Sequence, residues 1–436
     1  MKNRLHKREK KSLSMSGLLK VVRKTFDKIP SNKKVRKITL ADSFMSALAM
    51  FSLKSPSLLA FENDKADPVV EHNLKTLFGI EKVPSDTYMR QLLDEIHPNM
   101  IRSCFLDVFH ETQRGKLLEG YEFLNTYLCL IDGTEVFNSE QVHCNNCCQK
   151  HHKDGRVTYH HQLLGAVIAK PGVQQVLPLC PEPIQKQDGS TKNDCERNAT
   201  HRFLCDLKRE HPRLKLTLVS DALSATAPHV NELKSLGYDF IVVAKKDGNR
   251  SLFEWVKGST KEITMTVGKN KYIFRYVNRV PLNNTANAPE VNFLECEALE
   301  IKGKKETKRH FAWITSHEIT EKNLYMLMLG GRSRWKVENE TFNTLKNQDY
   351  RFEHNFGHGK KHLHTIFAFL MMLAFLIDQV QEAACGLFQT ALKEMKSKRA
   401  LWHRMRSFFY VCLIQSWTDL FKSIHRRFQG VSLDTS

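Results

Sequence analysis

The apolar positions between residues 38 and 120 recur at the spacing of helices. Phe44, Leu48 and Phe51 follow one another at steps of four and three residues, which places them on one helical face. Proline and serine interrupt the pattern at residues 84–86, where a new helix can begin. The sequence therefore predicts a compact helical domain over residues 38–120, and its basic character suits DNA contact as well as a purely structural role.

From Tyr121 onward, helical spacing gives way to short continuous apolar runs that are typical of buried strands. Segments with helical spacing alternate with these runs, and a Pro171-Gly172 turn joins two of them into an antiparallel hairpin. Residues 121–249 are therefore predicted to form a mixed α/β sheet with helices on its faces. The predicted strands lie in FLNTYLCLIDGTE, HHQLLGAVIAK, QQVLPLC, LKLTLVSDALSA and YDFIVVAKK.

The alternation of strands and helices stops near residue 250. Residues 250–316 carry two hairpin patterns and are predicted to form a β-rich insertion. Residues 317–380 return to helical spacing, and the pattern places Trp335, Glu338 and Phe342 on the inward-facing side of one helix. The remaining residues, 381–436, are predicted to form a C-terminal helical region.

The chain of 436 residues carries a formal net charge of +19. The basic residues are spread along the whole sequence, which favours a polyanionic partner, either nucleic acid or an acidic membrane surface. Lysine and arginine dominate residues 1–37, which are predicted to form a basic arm. That arm either grips phosphates or is simply solvated.

Three features bear on where the protein works. No secretory signal opens the sequence, and the longest apolar run, Ile366 to Ile377, is shorter than the roughly 20 residues that span a bilayer. We predict that this run is a buried helix. Eleven cysteines in so long and hydrophobic a chain do not indicate a secreted disulfide scaffold. We therefore expect a cytoplasmic protein with reduced thiols.

One cluster of cysteine and histidine residues suggests metal chemistry. A CxxC pattern followed by histidine is typical of half of a zinc site, and the residues concerned are Cys144, Cys147, Cys148, His151 and His152. Cys195 or Cys205 would have to complete a structural zinc site from a distance. Thiols without a metal are therefore the preferred interpretation.

Two aspartates, Asp132 and Asp221, each follow a predicted central strand, and the first of these strands is predicted to run into a loop at Asp132-Gly133. In an open α/β sheet this edge is where ligands bind, and Glu338 lies on a later helix that can pack on the same sheet. Gathered carboxylates repel one another unless divalent cations neutralise them, and hard oxygen ligands select Mg²⁺ or Mn²⁺. The alternatives are a turn residue or helix cap for each aspartate, and an ion pair of Glu338 with Arg334.

The order LIDGT, LVSDAL and RWKVENETFNTLK resembles the DDE transposases of bacterial insertion sequences. The resemblance extends over roughly residues 40–380 and includes PSDTYMRQLLD, DCERNATHRFL and EHNFGHGK. It implies an RNase H-like catalytic core that a β-rich insertion interrupts ahead of the glutamate helix. It also implies that Asp132, Asp221 and Glu338 bind the metals, with Glu338 preferred over Glu340 because WKVEN matches the family's motif.

The resemblance further implies metal-dependent DNA cleavage and strand transfer at the ends of an insertion sequence. Two Mg²⁺ or Mn²⁺ ions would serve as cofactors. Double-stranded DNA, as terminal repeats and as target, would be the partner of a homodimer in the bacterial cytoplasm, associated with the nucleoid and not with a membrane. Two other functions stay open, a DNA nuclease without strand transfer and a non-catalytic repressor derived from a transposase.

Five basic residues are candidates for phosphate contacts: Arg334, Lys336, Lys346, Lys360 and Lys361. For each of them an ordinary solvated surface position is the alternative. His354 and His358 flank a glycine-containing loop and are interpreted as hydrogen-bonded structural histidines. Trp313 is predicted to pack in the core.

Overall fold

The computed structural model describes residues 11–30, 38–186, 193–303 and 305–425. Its helices are α1 (Met15–Phe26), α2 (Leu40–Ser52), α3 (Leu58–Asp64), α4 (Pro68–Phe78), α5 (Asp86–Asp94), α6 (Arg102–Arg114), α7 (Glu196–Glu210), α8 (Ala227–Leu236), α9 (Arg250–Val256), α10 (Leu324–Arg332), α11 (Asn343–Asn347), α12 (Leu363–Ala384), α13 (Gly386–Met395), α14 (Lys398–Val411) and α15 (Trp417–His425). Short 3₁₀ turns cover Lys11–Leu13, Pro98–Ile101, Leu118–Tyr121 and Ala222–Ser224, and a π-helical turn covers Val337–Phe342.

Twelve strands form one sheet within the described residues. They are β1 (Glu122–Phe123), β2 (Thr126–Ser139), β3 (Cys148–His151), β4 (Val157–Ala169), β5 (Leu177–Pro178), β6 (Glu182–Ile184), β7 (Leu216–Ser220), β8 (Asp239–Val243), β9 (Lys261–Val267), β10 (Asn270–Pro281), β11 (Glu290–Lys302) and β12 (Lys305–Thr315). The main order is β3-β4-β2-β7-β8-β12-β11-β10-β9, with β1 beside β2 and both β5 and β6 beside β4. The predicted mixed α/β sheet is confirmed.

The centre of the sheet is parallel and its two wings are antiparallel. Strands β2, β7 and β8 run in the same direction, while β4 on one side and β12 on the other run against them. Every residue of β7 is buried, as expected for a strand covered on both faces. The strand-rich segment that follows α9 continues this sheet through the pairing of β12 with β8.

Helix α12 lies at the centre of a layer of helices. It is 22 residues long, and its mean hydropathy of 1.8 would suit a membrane span, but the span is fully buried inside the protein. Helices α2, α5, α6 and α13 pack against it. The carboxylate of Asp94 in α5 accepts hydrogen bonds from the backbone N–H groups of Lys361, His362 and Leu363. It therefore caps the first turn of α12. The predicted buried helix is confirmed.

Part of the segment interpreted as a basic arm is a packed helix. Ser14 caps α1 by accepting the N–H of Gly17, and Leu18, Val22 and Phe26 are buried against the neighbouring helices. Apolar side chains on one face therefore fix this stretch in place. The rest of the predicted arm, residues 1–10 and 31–37, lies outside the described part of the chain.

A buried ion pair joins the first helices to α12. The ammonium group of Lys54 lies 2.5 Å from a carboxylate oxygen of Asp378 in α12, and the hydroxyl of Tyr350 donates to the same oxygen at 2.5 Å. The ammonium group also lies over the rings of Tyr350 and Trp402. Burial lowers the pKa of Lys54, and the charge of Asp378 opposes that shift. The carboxylate of Asp378 thus connects α12 to Lys54 after α2 and to Tyr350 after α11.

We predict that Lys54→Ala lowers the free energy of unfolding by about 3–5 kcal/mol, because Asp378 stays buried without its cation. Chemical denaturation of the full chain measures this change. Lys75→Ala, which removes the exposed ion pair with Glu81, is the matched control and should have little effect. Equal effects of the two substitutions would contradict the central role of the buried pair.

Candidate functional site

Asp132 lies inside a strand. The sequence predicted that Asp132-Gly133 begins a loop, and this is wrong because β4 continues to pair with β2 as far as Ser139. The parallel pairing with β7 ends earlier, at Leu130. Asp132 therefore lies where β2 extends past its parallel neighbour, with its side chain 23% exposed.

Asp221 follows the last residue of β7. Its carboxylate accepts the N–H of Leu223 at 2.9 Å and caps the 3₁₀ turn that starts there. The parallel register pairs Leu130 with Val219, and each of these residues precedes its aspartate by the same two positions. The two aspartates are therefore neighbours at the carboxyl end of the parallel strands.

Glu196 is a third acid at this place, and sequence reasoning did not select it. It is the first residue of α7, and a Cβ atom built on Gly133 would lie 2.8 Å from its carboxylate oxygen. A larger residue at position 133 would therefore push the end of the Glu196 side chain away from this position. The available signal was the acidic residue that opens the helix in DCERNATHRFL, but nothing in its spacing linked it to Asp132.

Burial and neighbouring negative charge change the pKa values of Asp132 and Glu196. Burial raises the pKa of Asp132, and the charge of Asp221 adds to the increase. Burial likewise raises the pKa of Glu196, and both aspartates add to it. The site therefore favours a cation, or a proton, over bare negative charge.

Arg334 provides one positive charge from the protein itself. Its guanidinium lies 2.8 Å from the carboxylate of Asp132 and lowers the pKa of that group, although burial has the larger effect. The sequence left open a pair between Arg334 and Glu338. The structure directs Arg334 across to β2, so this helical segment is joined to the strand that carries Asp132.

Glu338 lies on the π-helical turn and is exposed. Arg334 contacts Asp132 on one side of it, and on the other side the ring of Phe342 packs on Gly165, the residue that pairs with Asp132 across β2 and β4. Glu338 thus lies between two anchoring contacts to the same strand pair. Trp335 and Glu338 were both predicted to face inward, and this is wrong. Trp335 is 45% exposed and Glu338 is exposed as well, because the π-helical turn breaks the assumed α-helical period.

The predicted phosphate-contacting lysines occupy different environments. Lys336 is buried, and its ammonium group donates to the carbonyl of Val173 at 2.7 Å, so it supports the helix from inside. Lys346 pairs with Glu353. Lys360 and Lys361 are exposed near the start of α12, and Lys361 pairs with Glu95.

A groove of about 1260 Å³ adjoins Arg334. One wall comes from the end of β8 and the β-rich segment, and the other comes from the end of α10 and the residues after it. Lys245, Lys246 and Lys257 are exposed along it, and none of them has a salt bridge within the described residues. Because β8 is parallel to β7, Lys245 and Lys246 lie at the same sheet edge as Asp132 and Asp221.

The cysteine and histidine cluster differs from the one predicted. Cys144 and Cys147 do lie together, but they are joined by His161 of β4 and by His358, and this group could bind a metal such as Zn²⁺. The thiol of Cys148 faces the carbonyl of Ile184 instead. Among the other residues considered, His152 contacts Thr158, while Cys195 and Cys205 are exposed. His354 is exposed against the ring of Phe356, and Trp313 is buried as predicted.

Comparisons with known proteins give no assignment. No protein-family model matches this chain, and no curated protein matches it significantly. The site is therefore interpreted from its own residues.

We predict that Glu196→Gln becomes progressively more stable relative to the unmodified chain as the pH rises from about 4.5, the usual value for this carboxyl. A raised pKa in the folded state means that folding takes up a proton in this range, so the stability of the unmodified chain falls with rising pH until the folded-state pKa is passed. Glutamine cannot ionise, so Glu196→Gln does not lose stability in this way as the pH rises.

Thermal denaturation of both proteins across this pH range, without divalent ions, measures the difference. Glu140→Gln, at an exposed position beyond the end of β2, serves as the reference for buffer effects. If the difference in stability between Glu196→Gln and the unmodified chain does not change with pH, the pKa of Glu196 is not raised in the folded protein.

Proposed function

We propose that this protein is a DDE-type transposase with an RNase H-like catalytic core, which cuts DNA at the ends of an insertion sequence and joins the freed ends to target DNA. The observation that carries the proposal is the position of Asp132 and Asp221 side by side at the carboxyl end of two parallel strands, with Arg334, from the segment that bears Glu338, bound to Asp132. The order of these acids along the chain is the order in the transposase motif.

The donor set suits Mg²⁺ or Mn²⁺. Asp132, Asp221 and Glu196 offer hard carboxylate oxygens whose mutual repulsion a divalent cation would relieve, and Glu338 lies on the segment bound to Asp132. When bound, two such ions would activate a water or a 3′-hydroxyl and stabilise the leaving oxygen of a phosphodiester.

The protein's own residues would position the DNA and the acids. Arg334 holds Asp132 in place and lines the groove, so it can also contact a phosphate that enters there. Lys245 and Lys246 put positive charge along the same groove. Lys346, Lys360 and Lys361 extend the proposed phosphate contacts, and buried Lys336 is left out of them. Action on two DNA ends would require a dimer when DNA is bound.

We predict that Asp132→Asn, Asp221→Asn and Glu338→Gln each reduce Mg²⁺-dependent cleavage by at least about 100-fold, because each removes a ligand charge that stabilises the reacting phosphate. Binding to the same DNA should change little. The substrate is linear DNA carrying the sequences that flank the coding region, and the broken and joined strands are mapped on gels. Glu340→Gln, two positions from Glu338, is the matched control and should keep its activity.

The products distinguish the alternatives. Cleavage followed by joining supports the transposase, whereas cleavage without joined products supports a nuclease that lacks strand transfer. Specific binding without any metal-dependent cleavage would indicate a repressor derived from a transposase. Full activity of Asp132→Asn would remove Asp132 from the site and contradict the proposal.

We predict that Lys245→Ala/Lys246→Ala weakens DNA binding and reduces the slope of log K against log salt by up to about 0.9 for each lost phosphate contact. Fluorescence anisotropy at several salt concentrations measures both quantities. Arg213→Ala/Lys215→Ala is the matched control, because these exposed residues precede β7 at the opposite edge of the sheet. An equal loss in both double variants would mean that charge alone, and not the groove, governs binding.

A further inference from the structure

Four side-chain atoms that could bind a metal, from distant parts of the chain, lie close together near the connection that follows β2. Cys144 and Cys147 lie in the connection between β2 and β3, His161 lies on β4, and His358 lies between α11 and α12. The two sulfur atoms are 3.8 Å apart, and each is 3.3 Å from Nε2 of His161. Nε2 of His358 is 3.3 Å from the sulfur of Cys147. All four atoms lie within 4.8 Å of one another.

These distances match the edges of a zinc tetrahedron. Zn–S bonds of about 2.3 Å and Zn–N bonds of about 2.0 Å place two sulfurs about 3.8 Å apart and a sulfur and a nitrogen about 3.5 Å apart. A disulfide is a poor description of the pair, because bonded sulfur atoms lie about 2.05 Å apart. Two cysteines and two histidines also form a donor set that structural zinc sites commonly use.

Three of the four residues in the cluster are buried, and Cys144 is half-buried. Cys147, His161 and His358 are all buried, and the ring of Phe137 packs on His358 with 4.5 Å between ring centroids. The ring of His364, from the first turn of α12, stacks on His161 at 4.5 Å. Four protein ligands fill a tetrahedral coordination shell and leave no open position for substrate, which is characteristic of structural zinc and not of catalytic zinc.

We propose that Cys144, Cys147, His161 and His358 bind one structural Zn²⁺ ion, which fastens the segment between α11 and α12 to strand β4. The cysteines and His358 are separated by more than 200 residues, and Cys147 and His358 by 211. Because β4 pairs with β2, the ion connects the chain after the π-helical turn to the strand that carries Asp132. None of the four zinc ligands is one of the acids proposed to bind Mg²⁺.

The test begins with the full chain, purified without chelator, whose metal content is measured by mass spectrometry. We expect about one zinc ion per chain. Cys147→Ser and His358→Ala should raise the zinc dissociation constant by about 10-fold or more. Cys148→Ser, which changes the adjacent buried thiol outside the cluster, is the matched control and should keep its zinc.

Two measurements on the unmodified chain remain informative if the variants fail to fold. Replacement of zinc by Co²⁺ should give the visible absorption of a tetrahedral thiolate-imidazole site. Removal of zinc by a chelator should speed trypsin cleavage after Arg351, Lys360 and Lys361, the exposed basic residues around His358. Absence of zinc from protein prepared with zinc present, a Cys144–Cys147 disulfide in its place, or equal zinc loss in Cys148→Ser would overturn the proposal.

Discussion

Asp132, Asp221 and Glu196 lie close together, and the charge of Asp221 raises the pKa of the other two carboxyls. In a partly buried position this repulsion is unfavourable unless a cation compensates for it. Arg334 compensates in part, and it reaches Asp132 only because its helical segment crosses the strand pair β2–β4. The absence of a side chain at Gly133 lets the carboxylate of Glu196 approach Asp132, and the groove lies beside Arg334, which binds Asp132. The sheet therefore brings the carboxylates together, and Arg334 from the neighbouring helical segment offsets part of their negative charge.

The segment that carries Glu338 is held before and after the π-helical turn. Before the turn, Gly331 packs directly on the indole of Trp313, and any larger side chain would collide with that ring. After the turn, Tyr350 donates to Asp378 in the middle of α12. A π-helical turn is less favourable than regular α-helix, so it persists where the flanking contacts determine its geometry. Fixed contacts on both sides supply that condition for the turn that carries Glu338.

The sequence predicted the parts of this fold that depend on local pattern. Continuous apolar runs identified the buried strands, and the apolar run within α12 identified its central helix. The errors arose where distant pairing decided the outcome. Asp132-Gly133 was predicted to begin a loop because the sequence does not reveal that β4 continues to pair with β2 beyond this point. Trp335 was placed inward because a helical period of 3.6 was assumed across a π-helical turn. His358 and Glu196 were not connected to their sites because no spacing rule relates residues that meet only after the sheet has formed.

Helix α12 also governs when the molecule can become compact during synthesis. Its side chains complete the core against which α2, α5 and α6 pack, yet it is translated long after them. Until α12 has been synthesised, the apolar faces of those helices that contact it lack this partner and are exposed to aggregation or to chaperones. A chain that ends prematurely would thus lack the central helix of this layer, and the complete layer would form only in polypeptides whose translation had almost finished.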